Sequence, residues 1–439
     1  MLPHYLLGKT FECDCGRIHS VPLQAYIYSS NALERLPKLL SHAVPAGSPV
    51  CVIADARTYE AAGYRVGEML EGDWNAQTVI LDDGPQGGPV CDDITRDRLL
   101  STIGDSWDAL LAVGSGVVND LCKWIASTAE KPYLAVATAA SMNGYASSNI
   151  APSIKGVKRV LEGNVPFGVV ALPDVIEEAP FELTTAGLGD VLAKPVSIAD
   201  WHVNHIIFNE YYCPLCSQLI EDLEPLYMNS PHGIRAKDPE TIKALFSALV
   251  YSGVSMTMAE TSFPASGGEH LVSHVLDMKA MHENRGHELH GRQVGIGTIF
   301  AAALYERLLQ MEAPDFEPVT EETDAAYWKS LAGVVEEEHA RKREKIAIAV
   351  DRLREGNRWD TVREAIAGHA VEASAIKTCL SKAGAAHCLD HIGVSKADFL
   401  NAVMHSHQIR ERYTVIDLAR AAGVLPAAAN DIANEFLGG

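Results

Sequence analysis

The 439-residue sequence predicts an α/β + all-α protein, in which a doubly wound α/β domain precedes a helical domain. Two observations carry this prediction. Short apolar runs alternate with helical patterns up to residue 180, and long helical patterns follow to the end of the chain. A glycine turn after one buried run adds a nucleotide-binding character to the first part. We therefore predict domains at 1–180 and 181–439, the first an α/β nucleotide-binding domain and the second a helical domain.

The predicted strands of the first domain are short apolar runs of the kind buried in parallel sheets. They span residues 49–54, 77–81, 110–113, 133–137 and 167–172. Helical patterns cover residues 31–42, 59–70 and 117–128 between them. Residues 1–30 are predicted to form an N-terminal extension with short strands. A doubly wound sheet binds ligands at the carboxyl ends of its strands, so the residues that follow each run are the candidates for function.

The second domain is predicted to consist of long helices. The main helical patterns cover residues 187–208, 239–261, 267–281, 291–312 and 325–354. The acidic, proline-containing segment 312–323 is predicted to be a loop.

Composition restricts the class of partner. Lys and Arg number 36 against 57 Asp and Glu, so the formal charge is 36 − 57 = −21. This balance disfavours a nucleic acid or an anionic membrane as a partner. The sequence has no uninterrupted run of about 18 apolar residues and no signal-peptide pattern at its start. It therefore predicts a cytoplasmic protein.

The segment Val113-Gly-Ser-Gly-Val-Val-Asn-Asp120 lies between a buried strand and a helix. Closely spaced glycines let the main chain approach a pyrophosphate, and the helix N-terminus offers amide donors. The pattern differs from the usual G-x-G-x-x-G because Asn119 takes the place of the third glycine. The segment favours phosphate binding, and a tight turn without a ligand is the alternative.

Two further segments carry polar side chains. The run from Thr138 to Ser147 follows the next strand and is rich in hydroxyl and amide groups, which suit a cofactor or a polyol. Asp190 and Lys194 stand four apart on a predicted helix, where most such pairs are surface salt bridges. The carboxylate of Asp190 gains interest as a third protein ligand, because catalytic zinc is held by three ligands and one open position.

Three histidines form the most informative cluster. His270 and His274 stand four apart in Ser-Gly-Gly-Glu-His270-Leu-Val-Ser-His274, and His290 opens the next helical pattern. Residues four apart share a helix face, so His270 and His274 can address one point. Neutral imidazole is the commonest side-chain ligand of borderline divalent metals. The spacing indicates a metal site, with a solvated polar helix face as the alternative.

The nine cysteines are odd in number and scattered, which argues against a disulfide framework. Cys13 and Cys15, with His19 nearby, and the pair Cys213 and Cys216 offer the ligands of one zinc site. The first pair has C-x-C spacing and lies about 200 residues from the second. We therefore favour ordinary reduced thiols.

In this order, these segments resemble the iron-containing alcohol dehydrogenase and dehydroquinate synthase superfamily. More narrowly, they resemble the sn-glycerol-1-phosphate dehydrogenases, especially the bacterial branch. The likeness covers nearly the whole chain, in the segments Cys13–His19, Asp55–Gly63, Val113–Asp120, Thr138–Ser147, Gly187–Trp201, Ser266–His274, His290–Thr298 and Arg412–Leu418. It implies a Rossmann-like N-terminal domain and a helical metal domain of the dehydroquinate synthase type. It also implies NAD(P)-dependent hydride transfer between dihydroxyacetone phosphate and sn-glycerol 1-phosphate.

The resemblance assigns roles to individual residues. The implied metal ligands are Asp190, His270 and His290. The implied catalytic and substrate-contacting residues are Asn143, Asp190 and His274, so His274 faces substrate rather than metal. The implied cofactor-binding residues are Asp55, Gly114, Ser115, Gly116, Val117, Val118, Asn119, Asp120, Thr138, Ser141 and Ser147.

Cofactor, metal and assembly follow from the same resemblance. Asp55 matches the position near the adenosine ribose, where a carboxylate accepts the 2′-hydroxyl and repels a 2′-phosphate. This favours NAD(H), with NADP(H) as the alternative. Carboxylate and imidazole ligands admit one divalent ion of zinc, nickel or ferrous iron. The family implies a homo-oligomer, either a dimer or a larger assembly, that acts on a small phosphorylated triose or polyol.

Two departures from the family pattern keep alternatives open. The turn has Gly-Ser-Gly where relatives carry three consecutive glycines, and Asn143 stands where they commonly carry Asp. Asn keeps hydrogen-bonding capacity but loses the charge. A related glycerol or polyol dehydrogenase, and a non-catalytic NAD- and metal-binding homologue, are therefore the alternatives. A dehydroquinate-synthase-like lyase is disfavoured, because the segment after Ser141 lacks that family's Gly-Gly-Lys-Thr-Gly run. Candidate phosphate contacts are Lys155, Lys158, Lys194 and Arg292.

Overall fold

The computed structural model describes residues 3–84, 87–155, 157–283, 285–286 and 288–438. The chain forms two compact units, one comprising Met1–Gly187 with Gln218–Ser262 and the other Leu188–Ser217 with Phe263–Gly439. The first unit contains the predicted α/β segment and also residues 218–262, which the sequence had assigned to the helical part. That a domain boundary lies at residue 180 stays a prediction.

The strands of the described residues are short. They are β1 (Thr10–Glu12), β2 (Ile18–Ser20), β3 (Ala25–Tyr28), β4 (Pro49–Asp55), β5 (Asn75–Leu81), β6 (Ala109–Gly114), β7 (Tyr133–Ala137), β8 (Asn149–Ile150), β9 (Ser153–Ile154), β10 (Val157–Lys158), β11 (Leu161–Glu162) and β12 (Gly168–Ala171).

The α-helices include several of a single turn. They are α1 (Leu36–Ala43), α2 (Ala56–Thr58), α3 (Tyr64–Leu70), α4 (Asp93–Ile103), α5 (Gly116–Thr128), α6 (Pro173–Glu178), α7 (Phe181–Val191), α8 (Lys194–Phe208), α9 (Pro214–Gln218), α10 (Glu224–Met228), α11 (Pro231–Arg235), α12 (Pro239–Ala259), α13 (Gly268–His282), α14 (His290–Leu309), α15 (Ala325–Trp328), α16 (Ala332–Leu353), α17 (Arg358–His369), α18 (Ala373–Ala383), α19 (Lys396–Ser406), α20 (Val415–Ala421) and α21 (Ala429–Ile432).

Tighter and wider helical turns complete the secondary structure. The 3₁₀ segments are His4–Leu6, Ala32–Arg35, Asn143–Ala146, Phe263–Ala265, Lys329–Leu331 and Leu389–Ile392, and the π segments are Tyr59–Gly63 and Ala433–Leu437.

The first unit is built on a six-stranded sheet in the order β3-β12-β7-β6-β4-β5. Every pairing in it is parallel. All five apolar runs singled out in the sequence are strands of this sheet, with ends that differ by at most two residues from the prediction. The sixth strand, β3, comes from the N-terminal segment and pairs with β12 at the edge of the sheet. Short strands were expected there, but not a strand of the main sheet.

Alternation along the strands gives the sheet two apolar faces. On one face, Val52 of β4 belongs to a core with side chains of α1 and α3. On the other face, Ile53 belongs to a core with side chains of α4 and α5. The chain therefore leaves β4 toward one face and its neighbour β6 toward the other. This is a topological switch point, where doubly wound sheets bind ligands beyond the carboxyl ends of their strands.

The second unit is helical, and two predicted long helices are interrupted. The pattern at 187–208 forms two helices, α7 and α8, with Pro195 in the first turn of α8. Proline fits a first helical turn because it has no N–H to donate, and it disfavours a helix that continues through it. The pattern at 325–354 is broken at Lys329, whose φ is +51°. The loop predicted at 312–323 contains no helix or strand.

Among the described residues, one helix is long and apolar enough to cross a membrane. This helix is α12 in the first unit, and 89% of its most apolar 18-residue window is buried. A buried core helix meets the same criteria of length and composition as a membrane span.

Candidate active site

In the first unit, three predicted cofactor residues lie at one edge of the sheet. Asp55 ends β4, Gly114 ends β6 and Thr138 directly follows β7. These strands are neighbours in the order β7-β6-β4 and run parallel, so their carboxyl ends share one edge. This edge includes the switch point between β4 and β6. It is the position at which this type of sheet holds a dinucleotide.

The glycine turn brings backbone to this edge. A Cβ added at Gly114 would lie 2.6 Å from Cβ of Val118, so only glycine fits the tight passage from β6 into α5. Ser115 precedes the helix, and its side chain caps none of the N–H groups of the first turn. These amides, at the positive end of a 13-residue helix, suit an anionic pyrophosphate. The turn therefore fits the dinucleotide that the sequence predicts.

Two residues of this segment also have structural contacts. Asn119 is 1% exposed, and its amide donates to the carbonyl of Gly144 at 3.5 Å. A carboxylate oxygen of Asp120 accepts from the backbone N–H of Ala151 at 3.2 Å. Asn119 thus ties α5 to the loop after β7, and Asp120 ties it to the segment after β8. A direct contact of either residue with the cofactor stays a prediction.

The loop after β7 is held by buried groups. The hydroxyl of Tyr145 donates to the carbonyl of Ala139 at 2.8 Å. Lys123, fully buried, donates to the carbonyls of Gly144 and Asn149 at 2.9 Å each. This scaffold fixes the loop that carries three other predicted site residues. Asn143 and Ser141 are half-buried, whereas Ser147 is 1% exposed and bonds within the loop to the carbonyl of Gly144 at 3.4 Å.

Asp55 has a second role that the sequence did not reveal. One of its oxygens accepts from the backbone N–H of Arg57 at 2.8 Å and of Thr58 at 3.2 Å, so it caps α2. The Arg57 guanidinium lies 3.2 Å from the same oxygen and 2.6 Å from Asp83. This guanidinium holds the pKa of Asp83 below its usual range. A cationic side chain therefore stands beside the carboxylate predicted to contact the ribose.

The second unit brings the three predicted metal ligands together. Asp190 lies near the end of α7, His270 in the first turn of α13, and His290 at the start of α14. Each offers one ligand atom, and these atoms lie within 4.8 Å of one another. Nε2 of His270 is 3.4 Å from Oδ1 of Asp190. Asp190 and His270 are buried, at 3% and 5% exposure. One carboxylate and two imidazoles at this spacing fit a divalent ion.

Glycines let the three helices approach. A Cβ added at Gly189 would lie 2.1 Å from the carbonyl oxygen of Gly291, so α7 and α14 touch backbone to backbone. A Cβ at Gly297 would lie 2.6 Å from the carbonyl oxygen of Glu269, which fixes α14 against α13. A side chain at Gly189 would move Asp190 away from His290, and a side chain at Gly297 would move His290 away from His270.

Two residues outside the predicted set orient the histidines. Oε1 of Glu269 lies 2.7 Å from Nδ1 of His270 and accepts from the backbone N–H of Gly267 at the same distance. Oγ of Ser273 lies 3.2 Å from Nδ1 of His290. With Nδ1–H donated to these oxygens, Nε2 of each ring is left as the acceptor that a metal needs. Glu269 directly precedes His270, and this adjacency is the feature of the sequence that could have identified it as a partner of the ring.

The acidic side chains near this cluster are buried. Asp200 is fully buried, and burial together with the charge of Glu269 raises its pKa to about 8. Its oxygens accept from the backbone N–H groups of Gly268 and Val415, each at 2.7 Å. Burial opposes the protonation of His270, but Asp190 and Glu269 outweigh it and raise the pKa of His270 to about 9. The acidic groups next to His270 thus favour positive charge at this point of the cluster, which a divalent ion would supply.

His274 lies beside this cluster but is not one of its three members. Its ring stacks on that of His290 at 5.6 Å and stands 6.1 Å from that of His270. The assignment of His274 to substrate, which the family resemblance implies, stays a prediction. Among the candidate phosphate contacts, Arg292 pairs with Glu288 at 3.0 Å, and the side chain of Lys158 lies outside the described residues.

Comparison with known proteins identifies the family of this chain. Residues 27–180 match the iron-containing alcohol dehydrogenase family. The glycerol-1-phosphate dehydrogenase of Bacillus licheniformis is 27% identical over 96% of this chain and 95% of its own length. That of Geobacillus thermodenitrificans is 31% identical over 73% of this chain and 79% of its own length.

Among solved structures, glycerol dehydrogenase from Schizosaccharomyces pombe aligns with a TM-score of 0.61 at 14% identity. The alignment covers 94% of this chain and 91% of that one, and it shows a shared fold. The Rossmann-like and helical architecture expected from the sequence is thus confirmed. The chain belongs to the glycerol-1-phosphate dehydrogenase family, within the iron-containing alcohol dehydrogenases.

Proposed function

We propose that this protein is an NAD(P)- and metal-dependent dehydrogenase that interconverts dihydroxyacetone phosphate and sn-glycerol 1-phosphate. The observation that carries the proposal is the buried cluster of Asp190, His270 and His290, in a chain whose full-length relatives bear the name of this activity. In the direction of reduction, the ketone takes a hydride from NADH and a proton, and yields the secondary alcohol and NAD⁺.

The residues have distinct tasks in this proposal. Asp190, His270 and His290 hold one divalent ion, with Glu269 and Ser273 fixing the ring tautomers of the histidines. When bound, the ion supplies Lewis acidity toward the substrate oxygen, and the nicotinamide carries the hydride. His274, next to the cluster, exchanges the proton with that oxygen. Asn143 donates a hydrogen bond to a substrate hydroxyl.

The cofactor belongs at the sheet edge of the first unit. Its pyrophosphate faces the first turn of α5, and Asp55 accepts a ribose 2′-hydroxyl. We expect NAD(H) to be the better cofactor, because the Asp55 carboxylate repels a 2′-phosphate. The ligand set admits zinc, nickel and ferrous iron, so the native ion is to be determined by reconstitution. We further expect a cytoplasmic homo-oligomer.

The proposed activity is tested by the identity of substrate and product. The protein is stripped of metal, reloaded separately with zinc, nickel or ferrous iron, and assayed for NADH oxidation with dihydroxyacetone phosphate. The product is then resolved by chiral analysis. We expect metal-restored turnover that yields the sn-1 phosphate.

The matched substrate control is free dihydroxyacetone, which differs only in the phosphate. Preference for the free triose would replace the proposal with a polyol dehydrogenase. NADH binding without turnover of either compound, whichever metal is loaded, would indicate a non-catalytic homologue. Asn143→Asp would then be the first variant to assay.

A further inference from the structure

The N-terminal hairpin of the first unit carries a second group of metal-binding side chains. Strands β1 and β2 pair in antiparallel register, with Phe11 opposite His19. Between them, the N–H of Cys13 donates to the carbonyl of Arg17 at 3.0 Å, and the N–H of Gly16 donates to the carbonyl of Cys13 at 2.9 Å. Gly16 has φ of +83°, a conformation that glycine adopts without strain. This tight turn brings both cysteines of Cys13-Asp-Cys15 to the end of the hairpin.

His19 on β2 is prepared as a ligand. Its side chain is 1% exposed, and its Nδ1 lies 2.7 Å from the carbonyl oxygen of Met258. Met258 is in the last turn of α12, where carbonyls have no partner within the helix, so Nδ1–H donates there. Nε2 is then the acceptor nitrogen. Sγ of Cys15 lies 3.3 Å from this Nε2, within reach of the lone pair of the nitrogen.

The distances match a coordination shell. The ligand atoms of Cys13, Cys15 and His19 lie within 4.8 Å of one another. In tetrahedral zinc, bonds of roughly 2.0 Å to nitrogen and 2.3 Å to sulfur put neighbouring ligand atoms about 3.5 Å apart. The backbone carbonyl on Nδ1 is the usual partner of a metal-bound histidine. Thiolate with imidazole selects a thiophilic ion such as zinc over magnesium or calcium.

We propose that Cys13, Cys15 and His19 bind a second divalent ion of the zinc class. This ion would fasten the hairpin to the end of α12 through His19 and Met258, and it would have no part in hydride transfer. The proposal commits to these three ligands and is independent of the proposed function. Three protein ligands leave the fourth position of a tetrahedral zinc site to water.

The experiment uses the full-length protein, purified reduced and without chelator. Metal per chain is measured by inductively coupled plasma mass spectrometry, and a sample reloaded with Co²⁺ is examined for a sulfur-to-cobalt charge-transfer band. Asp190, His270 and His290 contain no sulfur, so the band reports only the proposed site. We expect two ions per chain and a strong band, which Cys13→Ser, Cys15→Ser and His19→Gln abolish while one ion is retained.

Two variants separate ligation from packing. Cys91→Ser alters another cysteine of the same unit, and it should keep both ions and the band. His19→Cys replaces the imidazole with a third thiolate, and it should retain the ion and intensify the band, which a purely structural histidine would not do.

The wild-type protein alone can overturn the proposal. One ion per chain, with no charge-transfer band after cobalt loading, would show that Cys15 and His19 form only a thiol–imidazole hydrogen bond. A band that persists in both Cys13→Ser and Cys15→Ser would overturn it as well.

Discussion

The sheet edge of the first unit and the helical cluster of the second unit prepare for their ligands in different ways. At the sheet edge, main-chain amides and a glycine that admits no Cβ lie where the cofactor is predicted to bind, while the side chains of Asn119 and Asp120 contact the protein itself. In the helical cluster, Asp190 and His270 are buried ionisable side chains directed at one another.

This difference predicts how each region responds to mutation. A site formed by main-chain amides tolerates side-chain substitutions as long as the turn keeps its conformation. Its selectivity between cofactors depends on a few neighbouring charged groups. A site of buried ionisable groups loses its ligand when one group is removed, because the remaining charges are left without a partner.

The largest effect is expected at the helical cluster. His290→Ala removes one of three ligands and should lower both metal content and turnover far more than the roughly 10–100-fold typical of an outer-shell residue. Metal analysis and steady-state kinetics measure both. His282→Asn, on α13 but outside the cluster, is the control and should stay near wild type. Equal losses in the two variants would remove the distinction between the cluster and an ordinary histidine.

A smaller effect is expected at Glu269. Glu269→Gln keeps the shape of the side chain but weakens its hold on Nδ1 of His270, so metal affinity should fall about 10–100-fold. Competition with a chromophoric chelator gives the affinity. Glu283→Gln, at the exposed end of the same helix, should change nothing. Unaltered affinity in Glu269→Gln would mean that the tautomer of His270 is set by other groups.

At the sheet edge, the expected change is one of selectivity. Asp55→Ser removes the carboxylate but leaves the Arg57 guanidinium for a 2′-phosphate. The ratio of kcat/KM for NADPH over NADH should rise about 10-fold, equivalent to ~1.4 kcal/mol. Asp83→Asn also releases Arg57 and keeps Asp55, so it is the matched control. An unchanged ratio in Asp55→Ser would place the ribose away from the end of β4.

Buried histidines outside the cluster should produce the smallest effect, in stability. Burial lowers the pKa of His339 to about 4, assisted by Arg343, and burial also lowers the pKa of His407. Below the unfolded pKa of about 6.5, the unfolded chain binds more protons than the folded one, so stability falls with falling pH. For His339 the loss should be ~1.6 kcal/mol between pH 6.5 and 5, and His407 changes stability in the same direction.

Chemical denaturation at the two pH values measures this loss. His339→Asn should flatten the profile, whereas His232→Asn in the first unit should not. A profile that is already flat in the wild-type protein would show that His339 is protonated in the folded state.

Sequence patterns predicted the strands of the sheet because each is a short apolar run, and they placed Asp55 and Thr138 at strand ends. They also selected Asp190, His270 and His290, although only the family resemblance joined Asp190 to the histidines. What they missed depends on contacts between distant segments. The strand β3 gains its place by pairing with β12, far along the chain.

The supporting residues were missed for the same reason. Asp200 accepts from Gly268 and Val415, which no local spacing relates to it. Glu269 follows two glycines and was visible only as a neighbour of His270. The capping role of Asp55 was missed as well, because α2 is a single turn of three residues, and the place of Arg57 beside the carboxylate depends on the fold.

We expect turnover to depend on an ion that Asp190, His270 and His290 bind. The most direct test titrates metal into stripped protein and follows NADH oxidation with dihydroxyacetone phosphate, in wild type and in His290→Ala. We expect no turnover before metal is added. In wild type the rate should rise to saturation with added metal, and in His290→Ala it should not rise. Full turnover by the metal-free protein, or metal-restored turnover in His290→Ala, would contradict it.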